Sequence, residues 1–339
     1  MSIEGSADQW PGLDLPRREQ FVGCLLGQAI GDGLGAPFEG LPDDVIFRIA
    51  PDEGVVRNPT EDVLQYTDDT QMAIGIAETL IENGRIDEEM LCAIFAANYD
   101  PARCYGPGAR RILEAAREGR DWRSLAISVF PGGSLGNGAA MRAAPIGLVF
   151  CDDLDLVAQQ AELSARPTHT HPIGIDGARL LSVAVALAVR GAAFDRKEFY
   201  RELSQYAKTE EFLWQISIAR QLRRFDSVGG FGNSLEAHRS VMTSIAIFAA
   251  SPDDYSQTVG RAIGQGNDTD TLAAMAGALA GARLGLQGIP PHLVAKLEDG
   301  SKGRRYLEWL ANRLYDMYLR RRDAKAGTVG GSGSAGPAL

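Results

Sequence analysis

Two short acidic stretches, Thr67-Asp68-Asp69-Thr70 and Asn267-Asp268-Thr269-Asp270-Thr271, each run directly into an apolar, Ala-rich segment of helical periodicity. Asp and Thr are favoured N-cap residues, so helix capping is one interpretation of either stretch alone. Hard cations such as Mg²⁺ are bound through carboxylates and other oxygen ligands, which is the second interpretation. Two such stretches in one chain favour a single metal site to which both contribute.

The composition predicts a helical domain with a large core. Of the 339 residues, 45% are hydrophobic but only 7% are aromatic, which suits closely packed helices with small residues at their contacts. Helical periodicity recurs from Arg17 onward, and no run of alternating strands appears. We therefore expect an all-α fold, a single compact multi-helix orthogonal bundle over residues 17–325. Residues 1–16 are expected to form a flexible lead, and residues 326–339, rich in Gly, Ser and Ala, a disordered tail.

Charge and cysteine usage restrict the class of protein. A formal net charge of −10 argues against broad nucleic-acid binding through phosphates. The four cysteines form no CxxC pair, so we expect reduced thiols and a cytoplasmic protein. As a separate expectation, the protein is a monomer. No HExxH motif or Cys/His cluster appears, which argues against a zinc site. The longest apolar stretch, Leu180 to Val189, is too short to span a membrane.

Glycine-rich segments mark places where the backbone approaches a neighbour or a ligand. The segment Gly31-Asp-Gly-Leu-Gly35 has the wrong spacing for a dinucleotide fingerprint. By themselves, Asp32 reads as a polar residue at a helix end and Glu39 as a solvated loop carboxylate. The segment Gly132–Arg142 has backbone N–H groups that form a candidate anion cradle before a helix predicted over residues 139–150.

Two further helix predictions concern the core and the chain after it. Leu272 to Leu286 is very rich in Ala and Gly, so we expect it in the middle of the bundle. One helix with a charged face is predicted over residues 197–222. His169, within Thr168-His169-Thr170-His171, reads by itself as a local hydrogen-bonding residue, since side chains at i and i+2 do not share a helical face.

Paired acidic clusters around divalent metals occur in two all-α schemes. The terpenoid-synthase scheme requires DDxxD on one helix and N-x-x-x-S/T-x-x-x-E on another. Met72 stands where the first motif needs its last acid, and Met275 stands where the second does. Both terminal ligands are missing, so the sequence argues against this scheme.

The other scheme is ADP-ribosyl hydrolysis, and five blocks of sequence in order carry the resemblance to it. They are Gly23–Glu39 with its GD-x-L-G core, Tyr66–Met72, Gly136–Pro145 with GNGAAMR, Thr168-His169, and Gly266–Thr271. The chain resembles the ADP-ribosylglycohydrolase family, which includes the ADP-ribosylhydrolases and dinitrogenase reductase-activating glycohydrolase. The blocks extend from about residue 20 to 290, nearly the whole domain.

The resemblance implies a central cleft in the bundle that holds two divalent cations, usually Mg²⁺ and sometimes Mn²⁺. It implies Glu39 and Asp69 as catalytic residues, with Glu39 a candidate general base. The metal ligands it implies are Thr67, Asp68, Asp69, Asp268, Asp270 and Thr271. The substrate-binding residues it implies are Tyr105, Gly106, Gly108, Gly136, Asn137, Gly138, Met141 and His169. The implied partner is an ADP-ribosylated protein or a small ADP-ribose conjugate.

Two departures from the family pattern bear on specificity. Members usually read Gly-Gly-Asp before the second acidic cluster, where this chain has Asn267. Asn keeps φ > 0 accessible, so a small effect is expected. The loop Arg103–Gly108 is more similar to members that cleave O-linked ADP-ribose, such as from serine. Arginine-directed members tend to carry an acidic residue in that loop.

Three functional hypotheses follow. The leading one is a dimetal-dependent hydrolase that cleaves the N- or O-glycosidic bond between ADP-ribose and an acceptor. The alternative is a non-catalytic ADP-ribose-binding or crystallin-like structural relative, which degraded metal ligands would favour, yet all the expected Asp and Thr residues are present. The third is a two-metal phosphoester hydrolase, whose usual His-rich ligand set is absent.

Overall fold

The all-α prediction is confirmed. The computed structural model describes residues 15–51, 54–190, 193–223 and 226–330, with side chains described to residue 325. Within these ranges the backbone forms helices, short 3₁₀ turns and two isolated β-bridges, with no strand. The helices are Arg18–Gly35 (α1), Asp43–Ile49 (α2), Gly54–Arg57 (α3), Asp68–Asn83 (α4), Glu88–Asn98 (α5), Pro107–Arg117 (α6), Trp122–Ser128 (α7), Ala144–Val149 (α8), Leu154–Ala165 (α9), Pro172–Val189 (α10), Arg196–Tyr206 (α11), Glu210–Ala219 (α12), Ala237–Ala250 (α13), Tyr255–Ile263 (α14), Thr269–Leu284 (α15), Pro291–Lys296 (α16) and Arg304–Gly330 (α17).

Helices α1 and α15 form the centre of the bundle, where their backbones touch without side chains between them. A Cβ atom placed on Gly281 of α15 would lie 1.9 Å from the carbonyl oxygen of Gly23 on α1. One turn away, a Cβ on Gly277 would lie 2.2 Å from the carbonyl oxygen of Gly27. The Tyr255 hydroxyl donates a hydrogen bond of 2.7 Å to the same Gly27 carbonyl. The central position predicted for Leu272–Leu286 is therefore confirmed.

Helix α10 is the most apolar long helix. Its 18 residues have a mean hydropathy of 1.6, which by length and composition alone is enough to cross a membrane. Inside the bundle 83% of this segment is buried, and it packs against α8, α9, α13 and α15. Its hydrophobicity is that of a core helix.

The helix predicted over residues 139–150 is wrong at its start. Residues Asn137–Ala139 form a 3₁₀ turn, and α8 begins only at Ala144. Pro145 has no N–H, so the Met141 carbonyl four residues earlier lacks the helical donor it would need. The Gln28 side chain of α1 donates to that carbonyl instead, at 2.9 Å.

The single helix predicted over residues 197–222 is also wrong, because the chain forms α11 and α12 with a break between them. At the break the buried Asp176 carboxylate accepts hydrogen bonds from the N–H groups of Lys208 and Thr209, both at 2.9 Å. These donors therefore leave the helical ladder.

Helix α17 ends at Gly330, so residues 326–330 of the predicted tail are helical. The rest of that tail, and the predicted lead apart from Leu15 and Pro16, lie outside the described residues.

Candidate active site

The first acidic stretch begins helix α4 and is held by Asp32, a fully buried residue in the last turn of α1. One oxygen of the Asp32 carboxylate accepts hydrogen bonds from the N–H and the hydroxyl of Thr67, both at 2.9 Å. The other oxygen accepts from the N–H of Thr70 at 3.1 Å and from its hydroxyl at 2.6 Å. The start of α4 is thus attached to α1 through one carboxylate.

The second acidic stretch begins helix α15 and is held in a different way. Asn267 has φ 58°, in the left-handed region that Asn tolerates. Its backbone pairs with the segment after Glu39: Asn267 N–H donates to the Leu41 carbonyl and Gly40 N–H donates to the Asn267 carbonyl, both at 2.7 Å. The Asn137 side-chain amide donates to the Asp268 carboxylate at 2.5 Å.

The two acidic stretches meet, although they lie far apart in the chain. The Thr271 hydroxyl is 3.4 Å from Oδ2 of Asp69, which joins the start of α15 to the start of α4. Carboxylate oxygens of Glu39, Asp268 and Asp270 lie within 4.8 Å of one another. Glu39 is exposed, whereas the two aspartates are buried. These contacts bring residues of both predicted ligand groups together.

Burial and mutual repulsion shift the acidity of this cluster. Burial, and then the neighbouring carboxylates, raise the pKa of Asp68, Asp69 and Asp270 well above the usual range. Burial raises the pKa of Asp268 to about 6, against the opposing hydrogen bond from Asn137. A set of crowded carboxylates of this kind is stabilised by a cation that its members share.

The donor set fits a divalent cation. Oδ1 of Asp69 is buried and has no hydrogen-bond partner in the described part of the chain, although a buried carboxylate oxygen normally has one. The neighbouring Asp68, Asp268, Asp270 and Thr271 offer carboxylate and hydroxyl oxygens, which are the ligands of Mg²⁺ and Mn²⁺ rather than of a soft metal. The acidic cluster can therefore hold a metal ion.

The acidic cluster lies at the wall of a cavity of about 750 Å³, a volume within the range of small-molecule sites. Tyr105, Gly106 and Gly108 are among the residues that line it. The Tyr105 hydroxyl donates to the Gln71 side chain at 2.8 Å, and its ring packs edge-on against Tyr99 at 4.9 Å between ring centroids. The predicted substrate loop is therefore attached to α4, one turn after its acidic start.

The cavity is also lined by the predicted Gly136–Gly138 turn, Met141 and His169. The His169 ring packs so closely on this turn that a Cβ on Gly138 would lie 3.0 Å from the ring. Its Nδ1 is 2.7 Å from the Thr168 hydroxyl. Burial lowers the pKa of His169 to about 3, so the imidazole is neutral at physiological pH. His169 thus offers a hydrogen bond without a charge.

Sequence reasoning missed the supports behind these loops. Arg103 pairs with Glu298, donates to the Tyr66 carbonyl at 2.6 Å and lies over the Tyr66 ring at 4.0 Å. It thereby joins the substrate loop to the residue before Thr67. Glu298 is more than 190 positions later in the chain, so no local pattern indicates the pair. Asp32 lies within the GD-x-L-G block, but nothing in its spacing to Thr67 indicates their contact.

The fold is an all-α bundle, and its carboxylate cluster lies at a cavity of the size of a small-molecule site. These two features indicate a class of helical proteins that can bind a metal ion next to a small polar ligand. The sequence model of the ADP-ribosylglycohydrolase family matches residues 14–324, and the chain belongs to that family. It is an ADP-ribosylhydrolase, a hydrolase of glycosidic bonds.

The proteins to which this chain is similar align with it over most of its length. The ADP-ribosylhydrolase ARH3 of Danio rerio is 32% identical, over 88% of this chain and 90% of that protein. The ADP-ribosylhydrolase ARH3 of Homo sapiens is 33% identical, over 89% of this chain and 94% of that protein. A solved structure described as an ADP-ribosylglycohydrolase-related protein complex has a TM-score of 0.67 at 26% identity, and covers 89% of this chain and 99% of its own.

Proposed function

We propose that the chain is a dimetal-dependent hydrolase that cleaves the N- or O-glycosidic bond between ADP-ribose and a modified side chain or small acceptor, and releases ADP-ribose. The observation that carries the proposal is the convergence of the two acidic stretches, joined by the contact between Thr271 and Asp69, at one wall of the cavity. The ligands would be Thr67, Asp68, Asp69, Asp268, Asp270 and Thr271.

The cation type follows from these ligands. Oxygen donors from carboxylates and hydroxyls favour Mg²⁺, with Mn²⁺ as the alternative. When bound, two such cations supply Lewis acidity toward hydroxyl groups of the substrate and toward a water. Asp69 is central to the proposal because one of its buried oxygens meets Thr271 while the other has no partner among the described residues.

Residues of the chain would supply the remaining chemistry. Departure of the acceptor from the anomeric carbon builds positive charge on the ribose, as in other glycoside hydrolyses. The carboxylates of Asp69 and Asp270 stabilise that charge because they are buried where water screens little. Glu39 is exposed at the same cluster, within reach of solvent, and is the group we assign to accept a proton from the attacking water.

Two groups of residues that line the cavity would bind the rest of the substrate. Gly136, Asn137 and Gly138 present a turn with little side-chain bulk, where backbone N–H groups can approach a diphosphate. Met141 and the neutral His169 border that turn. Tyr105, Gly106 and Gly108 also line the cavity, and we assign them to contact the acceptor.

Release of free ADP-ribose from a panel of defined acceptors tests the proposal. Peptides ADP-ribosylated on serine or arginine, and O-acetyl-ADP-ribose, are incubated with metal-stripped protein and added Mg²⁺ or Mn²⁺. We expect the release of ADP-ribose to depend on the added metal. Asp69→Ala and Asp268→Ala should reduce this release by more than about 10- to 100-fold, which is the loss typical of residues that only support a metal ligand. Asp62→Ala, at an exposed carboxylate outside the cavity, is the matched control.

Two results would contradict this proposal. Full turnover in both aspartate variants would exclude the metal mechanism. Release of inorganic phosphate instead of ADP-ribose would indicate a two-metal phosphoester hydrolase.

In Glu39→Gln, we expect substrate binding to persist while turnover falls by about 10²- to 10⁴-fold, the usual contribution of a general base.

A further inference from the structure

Asp32 lies outside the proposed ligand set but accepts hydrogen bonds directly from one of its members, Thr67. It is fully buried, and its two carboxylate oxygens accept four hydrogen bonds, two from Thr67 and two from Thr70. An ionised carboxylate has about four acceptor positions and no donor, so this arrangement uses its full capacity.

The contact with Asp32 decides the direction of the Thr67 hydroxyl. A threonine hydroxyl has one proton and two lone pairs. Asp32 Oδ1 is 2.9 Å from the Thr67 oxygen, whereas Asp69 Oδ2 is 3.3 Å away, so the proton is donated to Asp32. One lone pair then faces the N–H of Asp69 at 3.4 Å. The other is left for a cation.

The position of Asp32 is itself set by the core. A Cβ on the preceding Gly31 would lie 2.1 Å from the Ala273 carbonyl oxygen of α15, and one on the following Gly33 would lie 3.1 Å from the Gln65 carbonyl oxygen. The backbone on either side of Asp32 therefore packs against α15 and against the segment that leads into the first acidic stretch. Helix α15 begins with the second acidic stretch. Such residues behind a metal ligand orient it and raise its affinity for the metal.

We infer that Asp32 is a positioning residue for the metal centre: it takes the Thr67 hydroxyl proton and thereby presents the Thr67 oxygen as a ligand. This inference rests on the proposed function, because it presupposes that Thr67 binds a divalent cation. It adds a role for a residue that lies outside the proposed ligand set and is not among the residues that line the cavity. The same carboxylate also caps the start of α4 through Thr70, so the experiment must separate orientation from anchoring.

A double-mutant cycle separates the two roles. Binding of Mn²⁺ and of Mg²⁺ to the substrate-free full chain is measured by calorimetry, and thermal unfolding is measured without metal. We expect Asp32→Asn and Thr67→Val each to weaken metal affinity by about 10- to 100-fold. The metal affinity of the double variant should be no lower than that of the single variant with the lower affinity, because both changes remove the same oriented oxygen. Asp32→Ser, a smaller side chain without an amide N–H, repeats the cycle if Asp32→Asn does not fold.

Thr70→Val is the matched control, because it removes a hydroxyl of the same type from the other oxygen of Asp32. It should lower the unfolding temperature without metal and leave metal affinity within about threefold of the wild type, since it does not affect a ligand. The positioning role would be contradicted if the Asp32 variants bound metal as tightly as the wild type. It would also be contradicted if the losses of metal-binding free energy in the two single variants added up in the double variant. Neither result would contradict the dimetal proposal. Absence of metal binding by the wild type would overturn the dimetal proposal, and this inference with it.

Discussion

The two acidic stretches contain the same residue types at the starts of two buried helices, yet the protein holds them by different means. The first is held by a buried carboxylate of the core, since Asp32 binds Thr67 and Thr70. The second is held from the cavity side, by the Asn137 amide and by backbone pairing of Asn267 with the segment after Glu39. The first half of the site is therefore attached to the core through a carboxylate of α1. The second half is attached to the core through the Thr269 hydroxyl, which donates to the Gly35 carbonyl of α1 at 2.9 Å, and in addition to the loops that line the cavity.

This difference indicates how the two halves should respond to perturbation. A change in the core contact should affect both stretches, because α1 carries Asp32 and α15 carries the second stretch. A change at Asn137 or Asn267 should affect the second stretch alone.

The largest effect is expected for Gly281→Ala, at the contact between α1 and α15. The added Cβ would lie 1.9 Å from the Gly23 carbonyl oxygen, and neither backbone can yield without separating the helices. We expect the free energy of unfolding to fall by about 3 kcal/mol or more, the upper range for overpacking. Denaturant unfolding measures it, with Gly300→Ala as the control, because a Cβ at Gly300 meets no neighbour. A loss as small as that of the control would mean that the two helices are not in backbone contact.

The next effect is expected for Asn137→Ala, which removes the donor to Asp268. Metal affinity of the substrate-free protein should fall by about 10- to 100-fold, because a residue that orients a ligand is lost. Calorimetry with Mn²⁺ measures it. Ser240→Ala is the control, since it removes the other partner of the same amide, at 3.0 Å, and leaves the contact with Asp268. Equal losses in the two variants would assign the effect to general loosening of the Asn137 turn.

The smallest effect is expected at Asn267, whose φ of 58° is left-handed. Asn267→Ala should lower stability by about 1–2 kcal/mol, the cost of placing an ordinary L-residue in that conformation. Asn267→Gly should be close to neutral, because glycine adopts this conformation readily. Thermal unfolding of the pair measures the difference. If Ala and Gly at this position are equally stable, the conformation of Asn267 is not what holds the second stretch.

Much of the site was predicted from local pattern and family resemblance. The acidic stretches do begin helices, as their Asp and Thr content and the periodicity after them indicate. The expectation that Asn267 keeps φ > 0 accessible is confirmed by its left-handed backbone. The errors lie where a distant group competes for backbone hydrogen bonds, as Gln28 does at the Met141 carbonyl and Asp176 does at the break after α11. The hydrophobic periodicity of a segment does not indicate such distant hydrogen-bond partners.

The sequence by itself determined the all-α class, the two acidic helix starts and, through five ordered blocks, the family. These depend on residue types and spacings within short segments, which local physics controls. Only the tertiary structure decided that the two stretches meet at Asp69 and Thr271, and that Asp32 and Asn137 hold them. Those contacts join residues up to about 200 positions apart. They exist because glycines let the backbones of α1 and α15 touch, which brings distant carboxylates to one wall of a cavity.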